Sequence, residues 1–70
     1  MNIIFTIHAE DRVVKRKISI EEATEAIKFP DSIIKKHEKI YIQKRLQRGT
    51  IEICCERTES DIKVITLYWV

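Results

Sequence analysis

The hydrophobic period of this chain changes at Pro30. Before it, apolar residues recur at helical spacing; after it, they alternate with polar ones. Thr6 precedes Ile7-His8-Ala9-Glu10-Asp11-Arg12-Val13-Val14-Lys15-Arg16-Lys17 and predicts a capped first helix over residues 7–17. Ser19-x-x-Glu22 is a capping box that starts a second helix, with Ile20, Ala23 and Ile27 on one face and Pro30 at its end. Glu21, Glu22 and Glu25 fall in its early turns, where the helix dipole favours acids. Met1 to Phe5 is a short apolar run that reads as an edge strand.

Beyond Pro30 the pattern is β. Ile33-Ile34 reads as a short strand. Ile40, Ile42 and Leu46 share a period of two with Lys44 among them, and Ile51, Ile53 and Cys55 alternate with Glu52, Cys54 and Glu56. Gly49 lies between these runs and suits a hairpin turn. Ile62 to Val70 is apolar on both faces and reads as a central strand. The expected architecture is α+β: two N-terminal helices packed on one face of a three- to four-stranded, mostly antiparallel sheet.

Seventy residues make a single domain, 1–70. The sequence shows no signal peptide and no apolar run long enough to span a bilayer, so the expectation is a soluble cytoplasmic protein with no membrane partner. A net charge of +2 permits nucleic-acid binding without demanding it. The adjacent Cys54 and Cys55 would point to opposite faces of a strand. They can neither bridge nor chelate together, and they read as small hydrophobes of a reducing compartment. No metal motif, Gly-rich phosphate loop or Ser/Cys nucleophile pattern is present, so neither metal nor cofactor is expected.

Candidate chemistry begins on the first helix. His8, Arg12 and Arg16 fall at i, i+4 and i+8, which puts an imidazole and two guanidiniums in one stripe. Like charges at this spacing repel, so the stripe calls for something negative opposite it. On a helical wheel it lies between an arc of Ile7, Val14 and Ile18 and an arc of Ala9 and Val13, which predicts that it lines a groove. A second basic region holds six cations between Lys35 and Arg48 against Glu38 alone. Lys35, Lys36 and Lys39 fit solvated gatekeepers of an edge strand. Lys44 and Arg45 are open to either a surface or a ligand-binding role.

The element His8-Ala9-x-x-Arg12-x-x-x-Arg16-x-Ile18-Ser19, followed by Glu22, Ile27, Pro30 and Val64-Ile65-Thr66-Leu67-Tyr68, resembles a family of small bacterial and archaeal domains catalogued only as a domain of unknown function. That family is similar to the toxin ribonucleases of the RelE, ParE and BrnT type. The resemblance covers nearly the whole chain, although Lys35 to Arg48 matches no motif. It implies a RelE-like α+β fold and membership of a toxin–antitoxin system, with RNA and a small antitoxin-like protein as partners.

Metal-free RNA cleavage needs a base for the 2′-hydroxyl, cations for the crowded phosphorane and an acid for the leaving oxygen. His8 is the candidate acid or base. Arg12 and Arg16 are candidates to hold phosphate. Tyr68 would join them from the last strand, and Tyr41, Lys44 and Arg45 would bind the nucleic acid. Each residue also has a structural reading: His8 bonding backbone, the arginines pairing with Asp11, with second-helix acids or with Glu52 and Glu56, and Tyr68 packing in the core. Three functions follow: a metal-independent ribonuclease of the toxin type, a non-catalytic module binding nucleic acid or protein, or a domain whose arginine stripe only braces its helices.

Overall fold

The computed structural model describes residues 2–70. The elements run β1 (Asn2–Phe5), α1 (Ile7–Lys15), α2 (Ile20–Lys28), β2 (Ser32–Lys36), β3 (Lys39–Leu46), β4 (Gly49–Arg57) and β5 (Asp61–Trp69). They form an α+β domain with one open five-stranded sheet in the order β1-β5-β4-β3-β2. Strands β2 to β5 make an antiparallel meander. The fifth strand corrects the expected count of three or four. It comes from the N-terminal run, which pairs parallel to β5 from Asn2↔Asp61 to Phe5↔Val64. Its partner lies at the other end of the chain, so no local pattern announces the pairing.

Period-two alternation divides the sheet into two faces. Ile42, Ile51, Ile53, Cys55, Val64 and Leu67 pack in one core with Ala9, Val13, Ala23, Ala26 and Ile27 of the helices. The three helix alanines are fully buried, and their small side chains let the helix backbones lie close to the sheet. Between Val64 and Leu67 the alternation changes phase. Cys54 pairs with Thr66 but Cys55 with Val64, which leaves Ile65 as the extra residue of a bulge. The bulge lets both Val64 and Leu67 enter the core.

The helix ends follow local chemistry. Thr6 Oγ1 accepts the Ala9 N–H at 3.0 Å and donates to the Ile65 carbonyl at 3.2 Å, so one hydroxyl caps α1 and ties it to the bulge. Helix α1 ends at Lys15, two residues short of the predicted 7–17. Lys17 turns left-handed (φ 55°) and the Ile18 N–H returns to the Val13 carbonyl at 3.0 Å. This drops Ile18 into the core at 3% exposure. The capping box of α2 is complete: the Ser19 hydroxyl accepts the Glu22 N–H, and the Ser19 N–H donates to the Glu22 carboxylate, both at 2.9 Å.

Candidate functional site

Among the described residues no element covers the face of the sheet opposite the helices. Cross-strand register lays polar and aromatic side chains over it in rows. One row runs Thr66–Cys54–Tyr41–Ile34 across β5, β4, β3 and β2. The next runs Tyr68–Glu52–Gln43–Ser32. In this second row Gln43 Nε2 donates to Glu52 Oε1 at 2.8 Å and the Tyr68 hydroxyl donates to Glu52 Oε2. That bond to a carboxylate, helped by partial burial, pushes the Tyr68 phenol up to about 12. Tyr68 is therefore a proton-bearing donor at neutral pH. Lys39 and Glu56 pair on the same face at 3.0 Å.

His8 stands at the border of this face. Its Nε2 lies 3.3 Å from Thr66 Oγ1, and its ring is exposed. The imidazole thus adjoins the row that leads through Cys54 to Tyr41. At the far side of the face, Ile34, Lys36, His37, Tyr41 and Glu52 line an open depression of about 530 Å³. His37 and Glu38 form the two-residue β2–β3 turn, and both have positive φ, 52° and 64°.

The remaining candidates lie on α1 or its C-cap and along β3. Arg12 pairs with Asp11 at 3.0 Å and is 30% exposed; Lys15 shares the same carboxylate at 3.2 Å. Arg16 Nη1 donates to the Leu67 carbonyl at 2.6 Å, while the Arg16 carbonyl accepts the Trp69 indole N–H at 2.7 Å. Lys44 donates to the Phe29 carbonyl at 2.8 Å and approaches Asp31 at 3.7 Å, so it braces the end of α2 on the helix side of the sheet. Arg45 is exposed, and its backbone N–H bonds Asp31 Oδ2 at 2.7 Å. Tyr68, Tyr41 and Arg45 therefore share the uncovered face with His8 at its border, whereas Arg16 and Lys44 are bonded to backbone carbonyls.

The predicted groove on α1 needs correction. Ile7 is 86% and Val14 77% exposed, so these residues do not wall the stripe. Only Ala9 and Val13 face the core, because α1 lies along β5 with a single side turned inward. The stripe follows the border between that buried side and solvent.

Sequence reasoning singled out neither Glu52, Gln43 and Thr66 nor Lys36 and His37 as site residues. A signal for the first two was present. Alternation puts Glu52 on the face opposite Ile51 and Ile53, and a two-residue turn at Gln47-Arg48, just before Gly49, sets Gln43 beside it. Thr66 depends on the bulge, which no sequence pattern marks. Cys54 and Cys55 do point to opposite faces. Burial pushes the Cys55 thiol up to about 12, so it is an inert part of the core.

Among the described residues no cluster of three or more His, Cys, Asp or Glu side chains is arranged to hold a metal ion. No described helix is long and apolar enough to cross a membrane. No curated protein and no solved structure matches the chain. A family profile described as a domain of unknown function, DUF4258, matches residues 5–69. The match takes in both helices and the meander, and the chain belongs to the DUF4258 family.

Proposed function

We propose that this protein is a metal-independent RNA-cleaving domain of the toxin type, working on the uncovered face of its sheet. The observation that carries this reading is the position of His8, whose imidazole adjoins Thr66 at the border of that face. An imidazole, which can both accept and donate a proton, stands there beside rows holding Tyr68, Glu52 and Tyr41. His8 removes the proton of a 2′-hydroxyl, the freed oxygen attacks the adjacent phosphorus, and the P–O5′ bond breaks. The departing oxygen takes a proton from Tyr68 or from water. Arg12 is exchangeable because its partner Asp11 is also held by Lys15, so it is the cation offered to the phosphate. Arg16 acts as a positioning residue that fixes α1 on β5. The antitoxin-like partner and the RelE-type likeness belong to the same reading.

A non-catalytic RNA-binding module is the second reading. It is favoured by the bonding of Arg16 and Lys44 to backbone carbonyls, which leaves fewer cations for a transition state. Incubating a single-stranded RNA with the protein in EDTA separates the two. Cleavage that survives EDTA and disappears in His8→Ala, with RNA affinity retained, supports the enzyme. Binding without cleavage selects the module. Absence of both at physiological salt overturns both. In either case Arg12→Ala should lower the slope of log affinity against log salt by about 0.7, the value for one lost single-strand phosphate contact.

A further inference from the structure

The depression beside the β2–β3 turn has a chemical polarity of its own. Lys36 and His37 stand at its turn end, Tyr41 and Ile34 give it an aromatic and an apolar wall, and Glu52 lies toward β4. The Glu52 oxygens already accept from Gln43 and Tyr68. Each carboxylate oxygen has a second lone pair, so the group can accept further donors. A simple anion would meet the Lys36 end and be repelled at the Glu52 end. A purely apolar ligand would leave both ends unpaired. The ligand that satisfies all of it is planar, bears amino donors at one end and carries phosphate at the other.

The turn points the same way. His37 and Glu38 hold consecutive left-handed conformations in a two-residue hairpin turn, where Asn-Gly is the unstrained choice. Lysine gatekeeping of an edge strand does not require an imidazole at this strained position. A two-residue hairpin turn requires positive φ at both positions, and histidine is among the side chains that adopt it, so the turn fixes His37 at the rim of the depression.

We propose that this depression is a nucleotide subsite: the base lies against Tyr41 and Ile34, its amino edge reaches Glu52, and Lys36 and His37 hold the phosphate. This rests on the reading of the uncovered face as an RNA surface. It adds the place where a nucleotide away from the cut is held. Along the Ile34–Tyr41–Cys54–Thr66 row, Tyr41 is two strands from Thr66, about 10 Å at ordinary strand spacing. A short single strand therefore reaches both Tyr41 and His8. The occupants preferred are adenine, cytosine and guanine nucleotides, whose bases carry exocyclic amines, over uracil nucleotides.

Two measurements test this. In fluorescence anisotropy with a labelled single-stranded adenine-rich RNA, Tyr41→Ala should weaken binding about tenfold or more, the loss expected when one base leaves an aromatic platform. Tyr41→Phe should bind as wild type, which separates loss of the ring from damage to the fold. Lys36→Gln and His37→Asn should each weaken binding severalfold, with melting temperatures unchanged or raised. In an amide-resonance titration with 5′-AMP, shifts should gather on Ser32–Tyr41 and Glu52. Adenosine and inorganic phosphate should each bind more weakly, as should 5′-UMP. Wild-type RNA binding that Tyr41→Ala and Lys36→Gln leave intact overturns the subsite alone. If wild-type protein binds no RNA, the surface reading fails, and the AMP titration still decides the depression. Shifts confined there retain a nucleotide site, and shifts elsewhere or none overturn it.

Discussion

Arg16 closes the part of the β5 edge that β1 does not reach. The parallel pairing with β1 stops at Val64, and the Leu67 carbonyl beyond it accepts from the Arg16 guanidinium at 2.6 Å. The contact is reciprocal in direction, since Trp69 of β5 donates back to the Arg16 carbonyl. A short first strand followed directly by a helix would otherwise leave unpaired edge groups on a central strand. Thr6 serves the bulge in the same way, through the Ile65 carbonyl.

Replacing Arg16 by Ala should therefore destabilise the domain by about 2 kcal/mol, the range for a charge-assisted hydrogen bond whose loss leaves a partly buried carbonyl unpaired. In a domain of this size that corresponds to a fall in melting temperature of roughly 10 °C. Arg12→Ala removes only an exposed intrahelical pair and should shift stability by less than about 0.5 kcal/mol. Equal melting temperatures for the two variants would show that the Arg16 bond does not hold α1.

The β2–β3 turn should trade stability for binding. His37 and Glu38 both occupy the left-handed region, at a cost on the order of 1 kcal/mol each. The double substitution His37→Asn, Glu38→Gly should raise stability by about 1–2 kcal/mol. It should also lower any affinity for nucleotides. Denaturant midpoints read the first effect directly; an unchanged or lower midpoint would mean that the turn is not strained.

Much of this fold is legible in the sequence where the signal is local. The Ser19–Glu22 box and Pro30 define α2, and the alternation around Gly49 defines the β3–β4 hairpin. What escapes is non-local or phase-dependent. The parallel place of β1 depends on a partner at the opposite terminus. The helical wheel of α1 suggests two apolar walls because Ile7 and Val14 are as hydrophobic as Val13, yet the helix turns one side to the sheet and leaves those two exposed. Of the candidate site, His8, Tyr41 and Tyr68 are recoverable from residue type. Their company of Glu52, Gln43 and Thr66 needs strand register, and for Thr66 the bulge as well.

Acid should loosen the link between α2 and the β3–β4 turn. The Glu22 carboxyl lies below its ordinary value of 4.5 because Arg48 donates to it at 2.6 Å, and the Ser19 N–H donates as well. A depressed folded value means that the contribution is complete above about pH 4.5 and is lost as pH falls through the folded value. Glu22→Gln should lower the neutral plateau by the small worth of the exposed Arg48 pair and flatten this part of the acid limb. Ser19→Ala should instead cost about 1 kcal/mol at neutral pH, the usual loss of an N-cap. Urea unfolding at a series of pH values distinguishes the two; parallel acid limbs for wild type and Glu22→Gln would remove Glu22 from the linkage.

Gly49 should be the least replaceable residue of the β3–β4 hairpin. It has φ 145°, a conformation that side-chain-bearing residues rarely adopt, and a Cβ built there meets Trp69 Cε3 at 3.3 Å. The indole has little freedom to give way. Its N–H is bonded to the Arg16 carbonyl, and the Arg48 guanidinium sits over its ring at 5.0 Å. Arg48 is itself held by Glu22. An added methyl therefore meets a ring fixed from two sides, on a backbone that already disfavours it. Gly49→Ala should destabilise the domain by roughly 1–3 kcal/mol, more than Ala at exposed Arg45. It should also disturb Trp69 fluorescence in the folded state. If Arg48→Ala is made first, the ring gains freedom and the penalty of Gly49→Ala should shrink, so the two changes should cost less together than their sum. Strict additivity would show that Trp69 is not what confines residue 49, and would leave the backbone angle as the whole cause.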